Sequence, residues 1–132
     1  MLGAEREIQG GPFDDCPEGV IGLCLEAESA RAGGATLLLP RADFSAPAPE
    51  RFAEMLASLL LVMRDDPRPV YIGCRAGLGR TGTLIAGLAK LAGMADPVGW
   101  TRAQYDARAV ETEAQARAVA GLDPAAVWER MR

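Results

Sequence analysis

Val70-Tyr71-Ile72-Gly73-Cys74-Arg75-Ala76-Gly77-Leu78-Gly79-Arg80-Thr81-Gly82-Thr83 is the stretch that decides how this chain is read. Its first residues, VYIG, form a short apolar run of the kind a buried strand makes. Residues 74–80 then carry two glycines and two arginines, and an apolar run with small residues, TGTLIAGLAKLAGM, follows over 81–94 as a helix. A strand, a glycine-bearing loop and a helix in this order build an anion site. The N–H groups of residues 75–80 can converge, and the first turn of the helix adds partial positive charge to the same point. Cys74 stands at the strand end, where positive potential favours a reactive thiolate. Arg80 offers a planar fork to two oxygens of a bound anion, and the hydroxyl of Thr81 is within reach of the thiol.

Outward from this loop the chain alternates. Residues 20–25 (VIGLCL) and 36–39 (TLLL) read as further buried strands, the first followed by a short helix over 26–32 that Gly33-Gly34 ends. Residues 40–49 hold three of the nine prolines and form a loop. From Glu50 to Met63, Phe52, Leu56, Leu59, Leu60 and Met63 recur at helical spacing. After the third strand come helices alone, over 81–94, 97–107, 112–120 and 123–131. Thr112 is placed to cap the third of these stretches with Gln115 three residues on, and Asp123-Pro124 opens the last. Residues 1–19, rich in Gly, Pro and Asp, read as an irregular lead-in to one domain over 20–132. The fold class is α/β, a small, largely parallel central sheet flanked by helices.

Composition narrows the chemistry. The 132 residues contain no histidine, which removes Ser-His-Asp and Cys-His catalysis, His-ligated zinc and histidine phosphotransfer. Fourteen basic against eighteen acidic residues give a net charge of −4, so nucleic acid is not an expected partner. Cys16, Cys24 and Cys74 have no CxxC spacing and read as reduced thiols. No apolar run approaches the length of a membrane span, and the first residues lack a signal pattern, so the chain is expected to be cytoplasmic. Lys90 is the single lysine and alanine is abundant, a coding bias that suggests a GC-rich bacterial source. Nothing in the sequence sets the oligomeric state.

Three readings of the loop compete: a dinucleotide fingerprint, a structural cysteine in a tight turn, and a resemblance. Gly77-Leu78-Gly79-Arg80-Thr81-Gly82 is literally GxGxxG, but it lies past mid-chain and no strand ending in an acidic residue follows about 20 positions on. A nucleotide P-loop fails because no lysine precedes Thr81. Cys74 as a plain core residue leaves Arg80 in a glycine loop unexplained.

The third reading is a resemblance. Cys74, Gly77, Arg80 and Thr81 match the signature loop HCxxGxxR[ST] of the cysteine-dependent protein tyrosine and dual-specificity phosphatases. Upstream, Pro40-Arg41-Ala42-Asp43-Phe44-Ser45-Ala46-Pro47 resembles that family's general-acid loop. Downstream, Glu111-Thr112-Glu113-Ala114-Gln115 resembles its Q-loop. One position departs: Gly73 stands where the family has the histidine that orders the loop. The resemblance implies a dual-specificity-phosphatase-like fold and phosphomonoester hydrolysis with no metal or other cofactor. Cys74 would be the nucleophile, Arg80 and the N–H groups of Arg75, Ala76, Gly77, Leu78 and Gly79 the phosphate cradle. Asp43 would be the general acid and base, Glu111 with Gln115 the group that places water, and Thr81 an aid to thiolate departure. Substrates would be a phosphorylated protein or a small phosphomonoester, with a phosphoinositide, an RNA 5′ end or binding without turnover as alternatives. Arg75 would supply a rim charge. Relatives that protect their nucleophile with a second cysteine point to Cys24 as a candidate redox partner of Cys74.

Overall fold

A computed structural model describes residues 7–29, 31–40 and 45–132. Its centre is strand β4 (Val70–Cys74), every residue of which is buried. β1 (Ile8–Pro12) lies on one side of it and β2 (Ile21–Cys24) on the other, with β3 (Leu37–Leu38) outside β2. All the pairings are parallel: Ile8 and Ile21 both register with Val70, and Leu23 registers with Ile72 on one side and Leu37 on the other. Strands buried on both faces are what the unbroken apolar runs of β2 and β4 require.

The two-residue period of a strand divides the sheet into two faces. Ile21, Leu23, Leu25, Val70, Ile72 and Cys74 point into the main core with the helices. Tyr71 and Cys24 point the other way, into a smaller cluster with Phe13 and Cys16. The helices are α1 (Pro49–Asp65), α2 (Gly79–Leu91), α3 (Pro97–Gln104), α4 (Glu113–Ala120) and α5 (Pro124–Arg130). On α1, Phe52, Leu56, Leu59, Leu60 and Met63 are all buried, as their spacing predicts. α2 is buried from Gly79 to Ala89, so it is a central helix with no solvent stripe. α1 packs against α5, and α2 against α3 and α4.

The α/β class and the parallel sheet agree with the sequence; several boundaries do not. The lead-in over 1–19 is not irregular throughout, since Ile8–Pro12 is an edge strand of the sheet and Phe13–Asp15 a 3-10 turn. IQGGP lacks an apolar run, and its Pro12 sits at the strand end, where a missing N–H is tolerated. The helix expected over 26–32 is absent from its described residues, which form bends and a turn leading into a 3-10 turn at Ala32–Gly34. So short a segment without an apolar face cannot repay helix nucleation. The second predicted strand shortens to Leu37–Leu38. α2 starts at Gly79 and stops at Leu91, and α3 stops at Gln104, short of 107. No helix among the described residues is long and apolar enough to cross a membrane.

Candidate active site

The site gathers where β4 ends and α2 begins. Cys74 is the last residue of β4 and is 2% exposed. Thr81, in the first turn of α2, donates its hydroxyl hydrogen to Cys74 Sγ at 3.0 Å. Between them Arg75 and Ala76 are exposed, Leu78 is partly so, and Gly77 and Gly79 are buried. Because α2 starts at Gly79, Arg80 belongs to its first turn, not to the loop as the sequence suggested. Its guanidinium is drawn inward, 6% exposed, with Nη1 donating to the Leu25 carbonyl beyond the end of β2 at 3.4 Å. Arg80 thus lines a small cleft with Leu25, Ser45, Pro47, Phe52 and Thr83.

Gly77 needs to be glycine for two reasons. Its φ is +75°, a left-handed conformation that side chains disfavour. A Cβ there would also run into the backbone of Gly11, where β1 passes beneath the loop. Position 73 is closed in the same manner: a Cβ would lie 2.7–2.8 Å from the Cα, Cβ and N of Phe13. The family's histidine therefore has no room here, because the chain leaving β1 fills its place.

The segment before α4 closes the other side. A Cβ on Gly79 would meet the carboxylate of Glu111, so that group lies against the start of α2. Its backbone is held unusually. Val110, a buried β-branched residue, has φ +60°, a strained choice for its type. Arg102 clamps the turn by donating Nε to the Ala109 carbonyl at 3.0 Å and Nη2 to that of Val110 at 2.8 Å. The capping box read from sequence is present: Gln115 N–H donates to Thr112 Oγ1, and Gln115 Oε1 accepts from Thr112 N. Oε1 also accepts from Glu111 N at 2.9 Å, and Nε2 donates to the Ser45 carbonyl at 3.0 Å. The amide of Gln115, fully buried, is thus committed to backbone and ties the Glu111 turn to the stretch that follows Asp43.

Cys74, Arg75–Gly79 and Thr81 meet at the end of β4, with the Glu111 carboxylate against Gly79 and Gln115 holding its turn, while the Arg80 guanidinium is turned to the Leu25 carbonyl. Asp43 lies outside the described residues. Cys24 is adjacent in the sheet, registered with Gly73, but its side chain is on the opposite face from Cys74 and its Sγ donates to the Glu26 carbonyl at 2.9 Å. Burial raises the Cys24 thiol pKa, with a smaller opposing effect of that hydrogen bond. A Cys24–Cys74 bond would require the strand end to turn over. Among the described residues, no cluster of three or more His, Cys, Asp or Glu could hold a metal ion.

Sequence reasoning missed Tyr105. It lies just beyond α3, and its hydroxyl donates to the Gly77 carbonyl inside the loop. Burial, then the negative charge of the Cys74 thiolate, push its phenol up to about 12. Arg102 and the Gly10-Gly11 pair were also missed; only the doubled glycine, a marker of close backbone approach, could have signalled its part.

Residues 23–94 match the family described as "Polymorphic toxin system, DSP-PTPase phosphatase". Two proteins of the archaeon Methanocaldococcus jannaschii, Uncharacterized protein MJ0215 and Uncharacterized protein MJECL20, are 34% and 35% identical over 80 residues, 61% of this chain. Those alignments cover 50% and 54% of the archaeal proteins, so the chain spans about half the length of the curated relatives it matches. The fold is similar to that of Tk-PTP in its active form, with a TM-score of 0.72 and 23% identity over 92% of this chain and 93% of that one. It is also similar to OH1 from the Orf virus, described as a tyrosine phosphatase, with a TM-score of 0.57 and 18% identity over 87% and 81%.

Proposed function

The chain belongs to the DSP-PTPase phosphatase family of polymorphic toxin systems, within the cysteine-dependent tyrosine and dual-specificity phosphatases, and from that premise we propose that it hydrolyses phosphomonoesters through Cys74. The observation that carries this reading is the Thr81 hydroxyl on Cys74 Sγ at the foot of α2. A thiol there stands at the positive end of a buried helix, a setting that favours a bound dianion beside it.

In the proposed reaction, Cys74 Sγ attacks phosphorus in line, and the P–O bond to the leaving group breaks as the S–P bond forms. Arg80 and the N–H groups of residues 75–80 bind the equatorial oxygens, where charge gathers in the transition state. Asp43 gives its proton to the departing oxygen. Water then attacks the thiophosphate, Asp43 takes a proton from it, and the thiolate leaves with the Thr81 hydroxyl bonded to it. Glu111, against Gly79, places that water. Gln115 serves by holding the Glu111 turn and the Ser45 carbonyl. No metal enters any step.

Phosphotyrosine and other phosphorylated side chains are the substrate class this reading favours, with the exposed Arg75 at the rim drawing acidic sequences. A reducing, cytoplasmic setting belongs to the same proposal, since the nucleophile acts as a free thiolate. The deciding assay is hydrolysis of para-nitrophenyl phosphate by wild type and Cys74→Ser. Product that depends on Cys74 is expected. Phosphate binding without Cys74-dependent product would leave a binding module only.

A further inference from the structure

The peptide between Gly77 and Leu78 has a problem of its own. Glycine makes rotation of its flanking peptides cheap, and Gly77 already stands at φ +75°. A trans peptide sets its C=O and N–H on opposite sides. One orientation turns the Leu78 N–H toward a bound anion; the other turns the Gly77 carbonyl oxygen toward it, which repels a dianion. Something must choose between them, and position 73 holds no histidine to do so.

We propose that Tyr105 is the positioning residue that locks this loop in its anion-binding form, and that Gly10 of β1 is the seat that lets its ring reach the loop. Three observations meet here. The Tyr105 hydroxyl donates to the Gly77 carbonyl, so it holds that oxygen on its own side and sends the Leu78 N–H the other way. A Cβ at Gly10 would stand 2.9 Å from Tyr105 Cε1, Cζ and Oη, so only glycine leaves the ring in place. Gly11 backs Gly77 directly, and Gly11 and Gly73 are registered partners in the sheet, so β1 supports the loop over the same short span. Tyr105 also keeps its proton when Cys74 is ionised, because burial and the Cys74 charge both oppose its deprotonation. The edge strand and one tyrosine thereby do the ordering that a histidine does in the wider family. This inference rests on the phosphatase reading above.

The test measures binding of inorganic phosphate by calorimetry in the Cys74→Ser background, alone and combined with Tyr105→Phe or Gly10→Ala. Tyr105→Phe is expected to bind phosphate about tenfold more weakly, equivalent to about 1.4 kcal/mol. Gly10→Ala should weaken it similarly by displacing the phenol, and both changes together should be no worse than either. Tyr71→Phe loses a comparable buried bond, to the Pro12 carbonyl at 2.8 Å, and should leave phosphate affinity within about twofold. This control separates positioning from general loosening. If Tyr105→Phe and Gly10→Ala bind phosphate as Cys74→Ser does, Tyr105 does not set the loop and the proposal is overturned while the phosphatase reading stands. Should Tyr105→Phe fail to fold, Gly10→Ala decides alone by the same criterion. Absence of both phosphate binding in Cys74→Ser and turnover in wild type would instead remove the phosphatase reading itself, and this inference with it.

Discussion

The backbone of Phe13 occupies the space into which a side chain at position 73 would grow, with its Cα 2.7 Å from where the Cβ would lie. Gly73 is therefore required by β1 and the 3-10 turn after it. Gly73→His does not restore a lost device; it overpacks a closed site. The expected cost is about 1–3 kcal/mol, the usual range for extra volume in a filled interior. Urea denaturation should show it, with no gain in turnover. Unchanged stability with higher activity would show that Phe13 yields easily.

Cys74 and Arg80 should separate when mutated. Cys74→Ser is expected to abolish turnover and keep phosphate binding, because the helix start, Arg80 and the loop remain. Arg80→Ala should lose both, and Arg80→Lys should recover little, since a point charge cannot reproduce a planar fork. Equal phosphate affinity in Arg80→Ala and its parent would exclude the guanidinium from the site.

Asp43→Ala tests the general acid by leaving group. Alkyl phosphates need a proton in flight and should slow by about 10²–10⁴-fold, while para-nitrophenyl phosphate should slow much less. A uniform small effect would make Asp43 a plain turn residue.

Gln115→Ala leaves the N–H groups of Glu111 and Thr112 and the Ser45 carbonyl without its amide. An expected loss of about 1–3 kcal/mol follows from stranding buried polar groups. Gln115→Glu retains the acceptor for both N–H groups but sets a buried carboxylate oxygen against the Ser45 carbonyl, so near neutral pH it should cost at least as much in denaturation. A cost well below that of Gln115→Ala would show that the contact with Ser45 is not closed as described.

The raised phenol of Tyr105 makes a prediction at high pH. In the unfolded chain a tyrosine ionises near 10; in the folded protein this one holds its proton to about 12. The unfolded state therefore binds fewer protons between these values, and stability falls as pH rises from about 10 toward 12. Burial also raises Tyr71, which adds to the trend. Tyr105→Phe should flatten the decline when unfolding free energies are measured across pH 8–12. An unaltered slope would mean that Tyr105 is not buried as described.

Local rules carried part of this protein. The strand–loop–helix order around Cys74, the capping box of Thr112 and Gln115, and the Asp123 cap before Pro124 all depend on residues a few positions apart, so they were legible in the sequence. The cysteine, the arginine and the threonine of the candidate site belong to the same class. What the tertiary structure decided lies between distant positions. Pairing with β4 makes a strand of IQGGP, which has little tendency of its own to be one. Tyr105 finds Gly77 across 28 residues, Gln115 finds Ser45 across 70, and Arg80 turns to a carbonyl 55 residues earlier. The opposed faces of Cys24 and Cys74 follow from sheet register. None of these leaves a periodic or spacing signal, because each is set by which backbone passes close to which once the sheet has formed.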